Sequence, residues 1–117
     1  MEDESKAQKI AKLNDEFRSL LTSKEHERLG VAVMTRGVQS LAPAMQIQLL
    51  ELVRDFKDFS EGNDPYQEHD FQTITLKGET YYWKIDYYAP DLIHASEDPS
   101  DPDKTYRVLT IIHSSEY

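Results

Sequence analysis

Phe71-Gln72-Thr73-Ile74-Thr75-Leu76-Lys77-Gly78-Glu79-Thr80-Tyr81-Tyr82-Trp83-Lys84-Ile85-Asp86-Tyr87-Tyr88 decides the fold. Its β-branched and aromatic residues suit extended chain, and Lys77-Gly78-Glu79 interrupts them with a tight-turn signal. The stretch reads as a hairpin with strands near 71–76 and 80–88. The strands of a hairpin are antiparallel, so the first begins where the second ends. Whatever precedes and follows the hairpin therefore meets at one end of the sheet.

What precedes and follows it is acidic. Glu61–Asp70 and Asp91–Asp103 together hold nine Asp/Glu and no Lys or Arg. The chain has 22 acids against 13 bases, a net charge of −9, and residues 61–117 carry 12 of the acids and four of the bases. The expectation is a negative pole opposite the Lys77-Gly78 turn, holding nine carboxylates with His69 and His94. Such a pole favours cations and basic protein surfaces, and it opposes direct binding to DNA, RNA or anionic membrane.

Outward from the hairpin, Ala89–Lys104 contains Pro90, Pro99 and Pro102 and reads as a long loop. Tyr106–His113 alternates, with Tyr106, Val108, Thr110 and Ile112 on one face and Arg107, Leu109, Ile111 and His113 on the other, so a last strand is expected near 105–113. On the other side, Glu61-Gly62-Asn63-Asp64-Pro65-Tyr66 is dense in turn formers. Met45, Leu49, Leu52, Val53 and Phe56 form one helical stripe near 43–57, with Pro43 in the first turn after Ala42 or Ser40. Val31–Thr35 reads as a short strand ended by Arg36-Gly37. Ile10, Leu13, Phe17, Leu20 and Leu21 form a second stripe, a helix over 6–21 capped by Ser5. Residues 1–5 are expected to fray, and Thr22–Leu29 is a connector or a helical extension broken by Gly30.

The order is α-β-α-β-β-β. It implies an α+β fold: one mainly antiparallel four-stranded sheet with both helices packed on one face. The strand order is left open. A length of 117 residues fits a single domain, 1–117, that buries roughly two-thirds of its unfolded surface. Without cysteine there is neither a disulfide nor a thiolate metal site. No apolar run is long enough for a transmembrane helix, and Met1-Glu2-Asp3-Glu4 does not resemble a signal peptide, so a cytoplasmic protein is expected.

Several segments resemble an uncharacterised family of small acidic proteins from alphaproteobacteria and their plasmids. They are Thr35-Arg36-Gly37-Val38, Asn63-Asp64-Pro65-Tyr66-Gln67-Glu68-His69-Asp70-Phe71, Trp83-Lys84-Ile85-Asp86-Tyr87-Tyr88 with Pro90-Asp91-Leu92, Ser96-Glu97-Asp98-Pro99 with Asp101-Pro102, and Arg107-Val108-Leu109-Thr110-Ile111. The likeness spans most of 31–117 and implies no activity. Its plasmid association implies a role in mobile-element biology, such as countering restriction or CRISPR defence.

Three readings of the acidic end follow. The leading one is a non-enzymatic interaction protein that meets a basic surface, of the kind built to hold nucleic acid, as a nucleic-acid mimic or inhibitor. Its contact residues would be Asp64, Tyr66, Glu68, Asp70, Asp86, Tyr88, Asp91, Glu97, Asp98, Asp101 and Asp103. Charge reversal at Asp64, Glu68, Asp98 and Asp101 would weaken binding cumulatively, with Tyr66 and Tyr88 as apolar anchors. No cofactor is expected. The second reading is a small enzyme. His69, Asp70, Asp86, His94 and Glu97 are the N/O donors that would hold a divalent ion, although Glu68-His69-Asp70 has no metal-site spacing. Lys84 and Asp86 share a strand face and would serve as an acid–base pair or, more simply, as an ion pair. The third is a homodimer joined through a sheet edge. Mimicry predicts distributed carboxylates of ordinary pKa and no deep pocket. An enzyme predicts a concave pocket with a strongly shifted group. A dimer predicts a long exposed edge strand.

Overall fold

The computed structural model describes residues 4–117; residues 1–3, within the segment expected to fray, lie outside the described residues. The first helix, α1 (Lys6–Ser19), starts where Ser5 accepts from the Gln8 N–H while the Gln8 side chain accepts from the Ser5 N–H, a reciprocal capping box. Lys24–Arg28 forms a single 3₁₀ segment, which resolves the ambiguous connector. Strand β1 (Gly30–Met34) follows. Arg36–Gln39 then folds into a four-residue helix, α2, where only the end of a strand was expected. Helix α3 (Pro43–Asp55) begins with Pro43 in its first turn after Ala42. The hairpin is present as β2 (Phe71–Leu76) and β3 (Glu79–Tyr88), and β4 (Tyr106–His113) is the last strand. Lys77 and Gly78 both have positive φ, 51° and 79°, as a two-residue hairpin turn of matching twist requires.

The architecture is α+β, with a four-stranded, mostly antiparallel sheet ordered β1-β4-β3-β2. The sheet is mixed, because β1 runs parallel to β4, with Gly30 opposite Arg107 and Met34 opposite Ile111. The added helix α2 also changes the expected element order. It lies directly after β1 and contributes Val38, which is fully buried, to the same core as the two longer helices.

One face of the sheet is the core face. Ile74, Tyr81, Trp83, Ile85, Leu109 and Ile111 alternate onto it and pack with Phe17 of α1, Leu21 just after it, and Leu49 and Val53 of α3. Fully burying a side chain of this kind stabilises by about 2 kcal/mol relative to exposure. Tyr82, Lys84, Asp86 and Tyr88 alternate onto the other face and are only partly buried. Lys84 and Asp86 form an ion pair there at 3.2 Å. Gly30 has a local reason to be glycine: a Cβ on it would collide with the Arg107 carbonyl across the β1–β4 pairing. Among the described residues, no helix is long and apolar enough to cross a membrane.

Candidate functional site

The register brings the two acidic loops to one end of the sheet. The Asp70 carbonyl accepts from the Ile85 N–H where the first loop enters. Tyr88 pairs with Tyr106 where the second loop leaves and returns. Helix α1 touches both loops: Lys6 reaches Asp98 of the second at 3.7 Å, and Asn14 donates to the Glu68 carbonyl of the first at 2.9 Å.

A buried polar centre joins these loops. Arg107 is fully buried on the core face of β4, in phase with Leu109 and Ile111. Its Nε donates to Asn14 Oδ1 at 2.6 Å and its Nη2 to the Pro99 carbonyl at 2.7 Å. The guanidinium lies 5.3 Å from the centre of the Tyr87 ring. Asn14 Nδ2 donates to the Glu68 carbonyl and to Tyr87 Oη, and Tyr87 Oη donates to Glu68 Oε1 at 2.9 Å. The second loop is thus tied through Pro99, Arg107 and Asn14 to Glu68 of the first. Burial lowers the Arg107 pKa below its ordinary value, opposed by the nearby Tyr87 and Glu68. Burial likewise raises the Tyr87 pKa.

The first loop is organised from within. Asp64 is only 6% exposed; Oδ1 accepts from the His69 N–H, and Oδ2 lies 3.6 Å from His69 Nε2. This corrects the expectation that Asp64 meets a partner: its carboxylate is occupied in building the loop. His69 Nδ1 lies 2.9 Å from Asp15, and the ring stacks on Phe59 with centroids 3.9 Å apart. Gln67 and His69 adopt left-handed φ of 60° and 58°, and Leu92 in the second loop 61°. Each such residue costs on the order of 1 kcal/mol, so the surrounding contacts must hold these turns.

Asp70 is the most perturbed carboxylate. Partial burial, with repulsion from Glu68, Asp64 and Asp86, raises its pKa from the ordinary 3.8 to about 6. Among the described residues it has no ion-pair partner. The second loop behaves differently. Asp91 accepts from the Ile93 and His94 N–H groups and pairs with the His94 ring at 2.7 Å, which pulls its pKa to about 2. The Asp98 carboxylate accepts from the Ser100 N–H and hydroxyl, and the Asp101 carboxylate from the Asp103 N–H. The carboxylates therefore do not share one ordinary pKa, contrary to the expectation for mimicry. Asp91, Asp98 and Asp101 of the second loop fasten turns, whereas Asp70 is left uncompensated.

The proposed metal ligands do not assemble. Among the described residues no three His, Asp or Glu side chains gather around a point where an ion would sit. His69 is drawn to Asp15 and Asp64, and His94 to Asp91. Glu97 is exposed, and Asp86 is engaged by Lys84 on the other sheet face. An open cleft of about 550 Å³ lies between α1 and the first loop, lined by Lys12, Asp15, Glu61, Asp64 and His69. Both ring nitrogens of His69 face carboxylates there, so the imidazole offers neither to a substrate as a base. Tyr66 is 80% exposed at the tip of the first loop, and Leu92 and Ile93 are exposed in the second, at 50% and 77%. Tyr88 is half-buried, and Asp103 is exposed.

Sequence reasoning missed Asn14, Asp15 and Arg18. The signal was present: Asn14 and Arg18 fall on the buried side of α1 beside Phe17, where an unpartnered polar group is costly. The Arg18 guanidinium donates to the Val53 and Phe56 carbonyls and to Asp15, and lies 5.0 Å from the centre of the Trp83 ring.

The fold and site define a small α+β protein with a braced acidic end. A family model described as a protein of unknown function (DUF3768) matches residues 34–116, and the chain belongs to that family. No curated protein and no solved structure matches it.

The Asp70 environment carries a sign that denaturation measurements check. An acid whose folded pKa is raised above its unfolded value is most favourable to folding when protonated. The stability it permits is present below about pH 4 and is lost as pH rises through about 6. Asp70→Asn is therefore expected to stabilise the chain at pH 7.5 by about 1 kcal/mol, a value discounted for solvent screening. At pH 4 it should change little. Urea melts of both proteins at the two pH values test this, and an equal effect at both would refute it.

Proposed function

We propose that the chain is a non-enzymatic interaction protein whose acidic end engages a basic protein surface, of the kind that ordinarily holds nucleic acid. The observation that supports this reading is the uncompensated cluster around Asp70. Burial first, then repulsion from Glu68, Asp64 and Asp86, raises its pKa to about 6, and among the described residues it has no ion-pair partner. A Lys or Arg from a partner would relieve it, drawing the Asp70 pKa back toward its ordinary value. Exposed Tyr66, Leu92 and Ile93 beside the carboxylates supply apolar contact of the sort that anchors interfaces.

The protein acts as a mimic or inhibitor, with no cofactor and no direct affinity for nucleic acid or membrane, in the cytoplasm. The likeness of its Asn63–Phe71 and Trp83–Tyr88 segments to plasmid-borne proteins suggests a restriction or CRISPR effector as the partner. Such an effector presents the required basic groove.

The test is affinity capture on the immobilised chain from lysate of a cell that makes it. The expected catch is a nucleic-acid-binding protein, released by 0.5 M salt and by duplex DNA. Charge reversal at Glu61, Glu97 and Asp103 together, exposed carboxylates that fasten no turn, should cut its affinity on the order of 100-fold, mostly through the association rate. A partner whose affinity ignores both salt and these reversals would sink the reading.

A further inference from the structure

The sheet ends in an unguarded edge. Strand β2 is outermost, and its six residues, Phe71–Leu76, contain no charge and no proline. Edge strands usually carry one or the other, because free N–H and C=O groups invite another strand. The two-residue turn makes Leu76 and Glu79 the closing hydrogen-bonded pair of the hairpin. Alternation then aims the backbone groups of Gln72, Ile74 and Leu76 at β3 and those of Thr73 and Thr75 outward. Thr73 and Thr75 are exposed, and among the described residues no other backbone group bonds to theirs.

Beside this edge runs a groove of about 600 Å³ between β2 and α3, floored by Leu52, Phe56, Ile74 and Leu76. Leu52 remains 38% exposed although it belongs to the helical stripe. The charged residues lining the groove are Glu51 and Asp55, and no Lys or Arg lines it. Arg54 holds Asp55, whereas Glu51 has no ion-pair partner among the described residues.

We propose that this groove binds an extended basic peptide segment, added to β2 as a fifth strand. The Thr73 and Thr75 backbones would supply the ladder. Alternate apolar side chains of the peptide would enter between Leu52 and Phe56, and its Lys or Arg would meet Glu51. A second copy of the chain fits less well, because two molecules of net charge −9 repel. The proposal rests on the edge and groove alone and stands independently of the acidic-end reading.

The test titrates the ¹⁵N-labelled full chain with a blocked hexapeptide of alternating valine and lysine, with the valine–glutamate hexapeptide as control. The Thr73 and Thr75 amides should shift and exchange at least about tenfold more slowly with the lysine peptide only, as new ladder bonds require. Thr75→Pro removes one outward donor at an edge position that tolerates proline, and should weaken binding about tenfold. Leu52→Ser and Glu51→Lys, both on the exposed side of α3, should each weaken it in a chain that keeps its native spectrum. The proposal is overturned if the glutamate peptide binds equally. It is also overturned if shifts are absent or confined to the acidic loops, if the variants bind like the parent, or if sedimentation shows the free chain dimerising through this edge.

Discussion

Arg107→Ala is expected to destabilise the chain by about 3 kcal/mol, because it orphans buried partners as well as removing packing. The Asn14 Oδ1 and Pro99 carbonyls each lose a donor, and the Tyr87 ring loses the cation on its face. The damage should also have an address. Arg107 and Asn14 are the links between the two acidic loops, so amide exchange should quicken at Glu68–Asp70 and Ser96–Asp101 before it does in the hairpin. Asn14→Ala should cost less alone, and the double variant less than the sum of the two. A non-additivity of about 1 kcal/mol is expected for groups sharing a hydrogen bond. Additive losses in a urea-denaturation cycle would show that the two residues act separately.

Arg18→Ala should cost about 3 kcal/mol, by a different route. Its guanidinium takes the Val53 and Phe56 carbonyls at the C-terminal end of α3, where the last carbonyls of a helix lack intrahelical donors. It also holds Asp15, which holds His69 against Phe59. Losing it should loosen the 56–70 segment as a unit. Arg18→Lys should recover little of the stability, since one ammonium cannot reproduce a planar fork that bonds two carbonyls and a carboxylate while lying near Trp83. Recovery to within about 0.5 kcal/mol of the parent would overturn this account.

Much of the fold was legible because its signals are local. The Lys77-Gly78 turn and the alternation around it gave β2 to the residue, and β3 to within one residue of its start. The stripes of α1 and α3 gave their starts, and the helices end two residues earlier than expected. Four residues cannot display a helical period, so α2 was read as the end of a strand. The pairing of β1 with β4 was also hidden. Nothing in Gly30–Met34 names a neighbour 77 residues away, although Gly30 fits only where a backbone approaches closely. At the site, hairpin geometry placed both acidic loops at one end, yet it could not say which carboxylates are spent on turns. Asp64, Asp91, Asp98 and Asp101 bond to nearby backbone, a property of loop conformation that composition does not encode. Arg107 did leave a trace: it alternates in phase with Leu109 and Ile111, and an arginine in step with core aliphatics must be fed by polar partners.

The central place of β4 dictates when the molecule can become whole. A ribosome delivers α1, β1, α3 and the hairpin before the strand that sits between β1 and β3. Until then β1 has no ladder partner, the edge of β3 that pairs with β4 is open, and Arg107 is not there to join the loops. The nascent chain therefore waits with two unfinished pieces, and final assembly is a late, long-range event of the kind that folds slowly and exposes sticky intermediates. A holdase bound to the emerging hairpin would find its natural release signal in the arrival of Tyr106–His113.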